Sequence, residues 1–201
     1  MNQRKNVSAV ILAAGNSERM NFPKAFLKWD AKTTFLEKIL KELIDFKVNK
    51  IVVVLNEKSY KHLNNNSLSE SENVKFIINS FPELGRFYSI KLALEEIKTE
   101  FCFIQNIDNP FINENILEKL FINKIADGYT IPSFQSKGGH PIIINNQIKQ
   151  DLLFSTNQFI LKEFLRNYKC QKIDFEDSRT LVNINTPQDF ARLEELKSTF
   201  I

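Results

Sequence analysis

The feature that most constrains this chain is the stretch 7–28, VSAVILAAGNSERMNFPKAFLK, where an apolar run gives way abruptly to the smallest side chains. Residues 7–12 are apolar and rich in β-branching, the pattern of a strand buried on both faces. Ala13, Ala14 and Gly15 then remove almost all bulk, and Asn16, Ser17, Arg19 and Lys24 follow as donors before 25–29 turns apolar again. A strand that empties into a small-residue loop carrying two cations lets backbone N–H groups approach and hold phosphates. Such a device needs a sheet behind it and partners for the phosphates in front.

The apolar pattern supplies the sheet. Phe35, Leu36, Ile39, Leu40, Leu43 and Ile44 recur at helical spacing within 33–46, with Thr33 or Thr34 as cap. Ile51–Leu55 (IVVVL) is a near-continuous apolar strand, the mark of a parallel sheet covered on both sides. Further strands are predicted at Val74–Ile78 and 101–104, and helices at Glu57–Leu63, 87–97 and 113–125, the last with Ile116, Leu117, Leu120 and Phe121 on one face. Residues 64–73 read as an exposed, mobile Asn/Ser loop. In the second half, short strands are expected at 129–131, 141–144, 171–175 and 180–182, and one or two helices fill 146–168. A final helix over 187–196 opens on Pro187. Strand–helix alternation implies right-handed βαβ units and a doubly wound, Rossmann-like α/β fold with a mostly parallel sheet. With no internal repeat and no linker, the 201 residues read as one domain.

Composition removes several functions. The net charge of +3 comes from 27 basic and 24 acidic residues without a long basic run, so nucleic acid is not the expected partner and a mildly basic cleft for a small anion is. No apolar stretch approaches the roughly 20 residues that span a membrane. Arg4-Lys5 before the first apolar run imitates a leader peptide, but the pattern continues coherently and reads as a first strand. Cys102 and Cys170 lie among apolar residues and are expected to be buried small hydrophobes, consistent with a reducing cytoplasm.

In open parallel sheets, ligands sit beyond the carboxyl ends of the strands. Here those ends read LAAGNSERM, then Asn79-Ser80-Phe81-Pro82-Glu83-Leu84-Gly85-Arg86, then Gln105-Asn106-Ile107-Asp108-Asn109-Pro110. Four of the five glycines (Gly15, Gly85, Gly138 and Gly139) fall in these loops or in 133–140, where positive φ or close ligand approach favours them. Asp108, at a strand exit, suits a hard cation that takes one or two carboxylates plus substrate phosphates; a turn-forming Asx residue before Pro110 fits its position equally well. His62 is expected to be solvated on a surface helix, and His140, in Gly138-Gly139-His140-Pro141, to orient its loop or touch a ligand. Neither histidine lies near a candidate nucleophile, so a Ser-His-Asp or Cys-His hydrolase has no support. Neither G-x-G-x-x-G nor G-x-x-x-x-G-K-[ST] is present.

LAAGNSERMNFPK resembles the LAAG-x-S-x-R-M-G-x-x-K signature of the MobA-like nucleotidyltransferases, and three further segments follow in the family's order. Gly85-Arg86-Phe87-Tyr88-Ser89-Ile90 is similar to the nucleotide loop and Ile107-Asp108-Asn109-Pro110-Phe111 to the metal loop. Gly139-His140-Pro141 with Asn183-Ile184-Asn185-Thr186-Pro187-Gln188-Asp189 is similar to the late segments. The resemblance implies a three-layer, glycosyltransferase A-like fold and a Mg²⁺-dependent transfer of a nucleotidyl group from a nucleoside triphosphate to a small phosphorylated acceptor, releasing pyrophosphate. It implies that Leu12, Ala13, Ala14 and Gly15 line the base and phosphates, that Arg19 and Lys24 hold the triphosphate, and that Asn79 and Ser89 contact base or ribose beside Gly85 and Arg86. Asp108 and Asn185 would hold Mg²⁺, and His140 would face the acceptor. The usual glycine after Arg-Met is Asn21, which tolerates a left-handed backbone; Asn185 stands where many relatives have Asp. LAAG in place of LAGG resembles the branch that uses CTP, with molybdopterin as acceptor. A sugar- or alcohol-phosphate cytidylyltransferase and a non-catalytic nucleotide-binding subunit are the alternatives. The expectation is a cytoplasmic enzyme, monomer or homodimer.

Overall fold

The structure is a computed structural model that describes residues 6–63, 72–156 and 160–198. Four strands, β1 (Val7–Ala13), β2 (Ile51–Leu55), β3 (Val74–Ile78) and β4 (Phe101–Asn106), pair in parallel in the spatial order β3-β2-β1-β4. The helices α1 (Phe35–Asp45), α2 (Glu57–Leu63) and α3 (Gly85–Leu94) make the crossovers. Every residue of β1, β2 and β4 is buried, which explains the absence of polar alternation in their sequences. Along β1 the side chains divide between two cores. Val7, Ala9, Ile11 and Ala13 pack with α1 and α4 (Glu114–Ile122), whereas Val10 and Leu12 pack with α3, α5 (Asn146–Phe154) and α6 (Leu161–Leu165). The result is the expected α/β sandwich of three layers.

The sheet then changes direction. β7 (Ile142–Ile144) runs antiparallel between β4 and β5 (Gly128–Phe134), and the two-residue β6 (Lys137–Gly138) folds back on the end of β5. On its other side β5 pairs in parallel with β8 (Lys169–Asp174). Two five-residue helices, α7 (Pro187–Ala191) and α8 (Leu193–Lys197), complete the described chain. Caps fix the helix starts. Thr34 and Glu37 form a capping box on α1, as do Thr186 and Asp189 on α7, and Asn113 and Asn145 accept from the Ile116 and Ile148 amides at 2.9 Å.

Several local expectations change. α3 starts at Gly85 and ends at Leu94, not 87–97, and β4 extends to Asn106 because Gln105 and Asn106 still pair with Ile11 and Leu12. The strand expected at 180–182 is a 3-10 turn, Ser178–Leu181, capped by the Asp177 side chain on the Arg179 amide. The helix over 187–196 is two, meeting at Arg192. Ile44 is 51% exposed, because the core of α1 closes at Leu43. Cys102 is buried, which pushes its thiol up to about 12, but Cys170 is exposed on β8, which no further strand among the described residues covers. His62 is half-buried, its ring centroid 5.5 Å from that of Phe22 and 5.6 Å from that of Phe26. Of the loop expected over 64–73, all but the last two residues lie outside the described residues. Among the described residues no helix is long and apolar enough to cross a membrane.

Candidate active site

The carboxyl ends of β1 and β4 face the start of α3 across a cleft of about 310 Å³. Leu12, Ala14 and Gly15 line one wall, Asn106, Ile107 and Asp108 a second, and Gly85, Arg86 and Ser89 a third. Lys24 and Asn185 reach in from distant parts of the chain. The loop after β1 turns tightly through left-handed backbone at Ser17 (φ 54°) and Asn21 (φ 52°), so Asn21 does adopt the conformation its glycine-like position calls for. Asn56, at the end of β2, fixes this loop. Its Nδ2 donates to the carbonyls of Ala14 and Gly15 at 3.2 Å each, while its Oδ1 accepts from the Ser59 amide at 2.8 Å.

The glycines serve different ends. Only Gly85 has positive φ (80°). A Cβ at Gly15 would meet nothing within 4 Å, so glycine there leaves the backbone bare toward the cleft and does not relieve a clash. At Gly139 a Cβ would lie 2.2 Å from the Thr180 carbonyl oxygen, so that loop requires glycine for packing.

Asp108 sits on a stapled loop. Gln105 Nε2 donates to the Asn106 and Asn109 carbonyls at 2.8 and 2.6 Å, and the Ile107 amide donates to Leu12 at 3.1 Å. The late segment closes over it: the Ile184 amide donates to the Asp108 carbonyl at 2.7 Å, and Asn109 Nδ2 donates to Thr180 at 2.8 Å. Asp108 Oδ1 is buried without a hydrogen-bond partner and Oδ2 stands 3.7 Å from Lys24 Nζ, so the side chain is not spent on an Asx turn. Lys24 Nζ donates to Asn185 Oδ1 at 2.5 Å. Asn185 is held in turn, its amide donating to Asp189 at 2.9 Å, and such amide bonds keep the Asp189 carboxyl below the usual range. Burial pulls the Lys24 ammonium below its ordinary pKa; Asp108 pushes it back up, and Arg19 and Arg86 add to the lowering.

The remaining predicted residues stand apart. Ala13 packs into the α1 core behind the loop, and Arg19 is exposed on the turn Glu18–Met20, within electrostatic reach of Lys24 but outside the cleft wall. Asn79 is buried behind Ser89: its Nδ2 donates to Ser89 Oγ at 2.9 Å and its Oδ1 accepts from the Phe81 amide at 2.8 Å. His140 lines a neighbouring cavity of about 810 Å³ that shares Gly85 and Arg86 with the cleft. Its Nε2 lies 2.7 Å from Asn106 Nδ2, so this pair forms the partition between the two spaces. Burial, then the Arg86 charge, lower the His140 pKa to about 4 and keep the ring neutral. Neither Asn56 nor Asn106 is singled out by the sequence; an Asn directly after β2 and another closing β4 are the available signals.

Among the described residues no cluster of three or more His, Cys, Asp or Glu offers a closed metal cage. Hard donors on cleft residues include the unpartnered oxygens of Asp108 and Asn106 and the Asn185 Oδ1 that Lys24 bonds, and one or two protein oxygens completed by substrate phosphates suit Mg²⁺. Nor do the residues that line the cleft pair a nucleophile with a base; cations and a carboxylate converge instead. Such a site works by positioning and charge neutralisation, the chemistry of nucleotidyl and phosphoryl transfer.

Residues 9–172 match the family model of the MobA-like NTP transferase domain, and the chain belongs to that family of nucleotidyltransferases. It is 28% identical to a probable molybdenum cofactor guanylyltransferase of Clostridium perfringens (94% of this chain, 97% of the relative). It is 26% identical to the molybdenum cofactor cytidylyltransferase of Escherichia coli K12 (94% and 96%). The fold matches that of a manganese complex of Rv0371c from Mycobacterium tuberculosis with a TM-score of 0.78, at 16% identity over 95% of this chain and 99% of that one.

Proposed function

We propose that this enzyme transfers a cytidylyl group from CTP to a terminal phosphate of a small acceptor of the molybdopterin type. A phosphate oxygen of the acceptor bonds to the α-phosphorus, the α–β bridging P–O bond breaks, and pyrophosphate leaves. Arg19 and Lys24 take up the charge on the leaving pyrophosphate, while the bare backbone at Gly15 admits the phosphates. Asp108 and Asn185 hold Mg²⁺, which neutralises phosphate charge when bound. The manganese complex of the structural neighbour supports a divalent ion in this family of folds. Triphosphate donors also suit a cytoplasmic setting.

The observation that carries the choice of base is the polar inventory of the cleft. Guanine presents two adjacent donors, N1–H and N2–H, which a carboxylate satisfies best. Within the cleft the one carboxylate is Asp108, turned toward Lys24; Glu18, Glu57 and Glu83 line the adjoining cavity of about 830 Å³ and are the carboxylates a guanine reading would need. Cytosine presents two acceptors, O2 and N3, and the cleft offers donors. Because Ser89 Oγ accepts from Asn79, its own proton is free to donate, and the first amides of α3 lie beside it. The guanylyltransferase relative favours GTP as the second reading. Pyrophosphate release measured with each nucleoside triphosphate and Mg²⁺, with molybdopterin as acceptor, decides between them: CTP is expected to exceed GTP by at least about tenfold in kcat/KM. Turnover with GTP alone would overturn the cytidylyl reading. Asp108→Ala should remove turnover by about a thousandfold or more, and an active Asp108→Ala enzyme would refute the site.

A further inference from the structure

Lys24 stands between the two residues just assigned to the metal. Its Nζ takes the single oxygen of the Asn185 side chain at 2.5 Å and lies 3.7 Å from Asp108 Oδ2. The other end of the Asn185 amide is a donor and cannot ligate a cation. A divalent ion coordinated by Asn185 and Asp108 would sit about 2 Å from oxygens that Lys24 already faces. Arg19 and Arg86 are also within electrostatic reach of Lys24, so a metal ion would add two positive charges to three. The Lys24 ammonium, on a flexible four-carbon stem, can swing out, provided an anion receives it. A triphosphate supplies that anion.

We infer that Lys24 is a tethered counter-cation of the metal site, so that metal and triphosphate bind in mutual dependence. Lys24 leaves Asn185 when phosphates arrive to take it, and only then is the Asn185 oxygen free to join the unpartnered Asp108 Oδ1 in holding the ion. By linkage, each ligand raises the affinity for the other by the same factor. Metal alone therefore binds weakly, and the site assembles around the complete metal–nucleotide pair. This rests on the metal assignment proposed above.

The test is Mn²⁺ binding to the whole protein without nucleotide, followed by the electron paramagnetic resonance of free Mn²⁺. Removing the competing charge, Lys24→Met should tighten Mn²⁺ binding by about tenfold or more. Lys24→Arg, which keeps the charge, should bind no tighter than wild type. Adding Asp108→Asn to Lys24→Met should then weaken binding again. Equal or weaker Mn²⁺ binding by Lys24→Met, with binding still sensitive to Asp108→Asn, overturns the counter-cation role and leaves the metal site standing. Binding indifferent to Asp108→Asn removes the metal assignment, and this inference with it. Lys24→Gln serves the same comparison should the Met variant not fold.

Discussion

The two sides of the sheet treat their ligand-facing loops differently. On the β1–β4 side every residue of three strands is buried, and the loops are tied backbone to backbone or by buried amides such as Asn56 and Gln105. On the β5–β8 side β5 is only partly buried, with Tyr129, Ile131 and Phe134 half-buried, and β8 is half-buried or exposed throughout; the larger cavity is walled by long side chains, among them Lys137, Lys162 and Lys172. On the function proposed above, the rigid, narrow cleft would hold the nucleotide and the wide, side-chain-lined cavity would take the acceptor.

The comparison can be broken first at the seam. Gly139→Ala drives a Cβ into the Thr180 carbonyl; it should cost about 2 to 3 kcal/mol and lower the melting temperature by roughly 4 to 12 °C. Unchanged melting would show that the seam is soft.

The partition offers a smaller, pH-dependent effect. His140 is held neutral with its pKa near 4, whereas in the unfolded chain it protonates near its usual value. Between those values the unfolded state binds the extra proton, so stability rises with pH and is lost as pH falls. From pH 7 to about 5.5 the wild type should lose a little over 1 kcal/mol more than His140→Gln, read from urea melts at the two pH values. Parallel losses would mean that His140 does not titrate on unfolding.

On the cavity side, Lys162→Ala and Lys172→Ala should each raise the acceptor KM by about three- to tenfold and leave the CTP KM unchanged, since exposed charges contribute modestly. A shift in the CTP KM would merge the two regions.

This division also explains what could be read from the sequence. β1, β2 and the small-residue loop after β1 are legible because two-sided burial forces continuous apolar runs and bare backbone forces small residues, as in Val7–Ala13 and Gly15. Asn21 was legible because few residues tolerate its φ. The bond from Asn79 to Ser89 is not legible in the sequence, because the same residue type serves to touch a base or to brace a neighbour. Cys170 was misjudged because local apolar context does not reveal that β8 is a sheet edge. The 3-10 turn at Ser178–Leu181 depends on its long-range tie to Asn109, which no short window contains.

The bond from Lys24 to Asn185 joins positions 161 apart. Closing so long a loop is slow and entropically costly, and it follows the pairing of β1–β4. During synthesis, therefore, the residues of β1–β4 are all made before Asn185, whose side-chain oxygen meets Lys24, joins the chain. With Asp108 and Asn185 as the proposed metal ligands, an unfinished molecule would hold the loop after β1 but not the closed site.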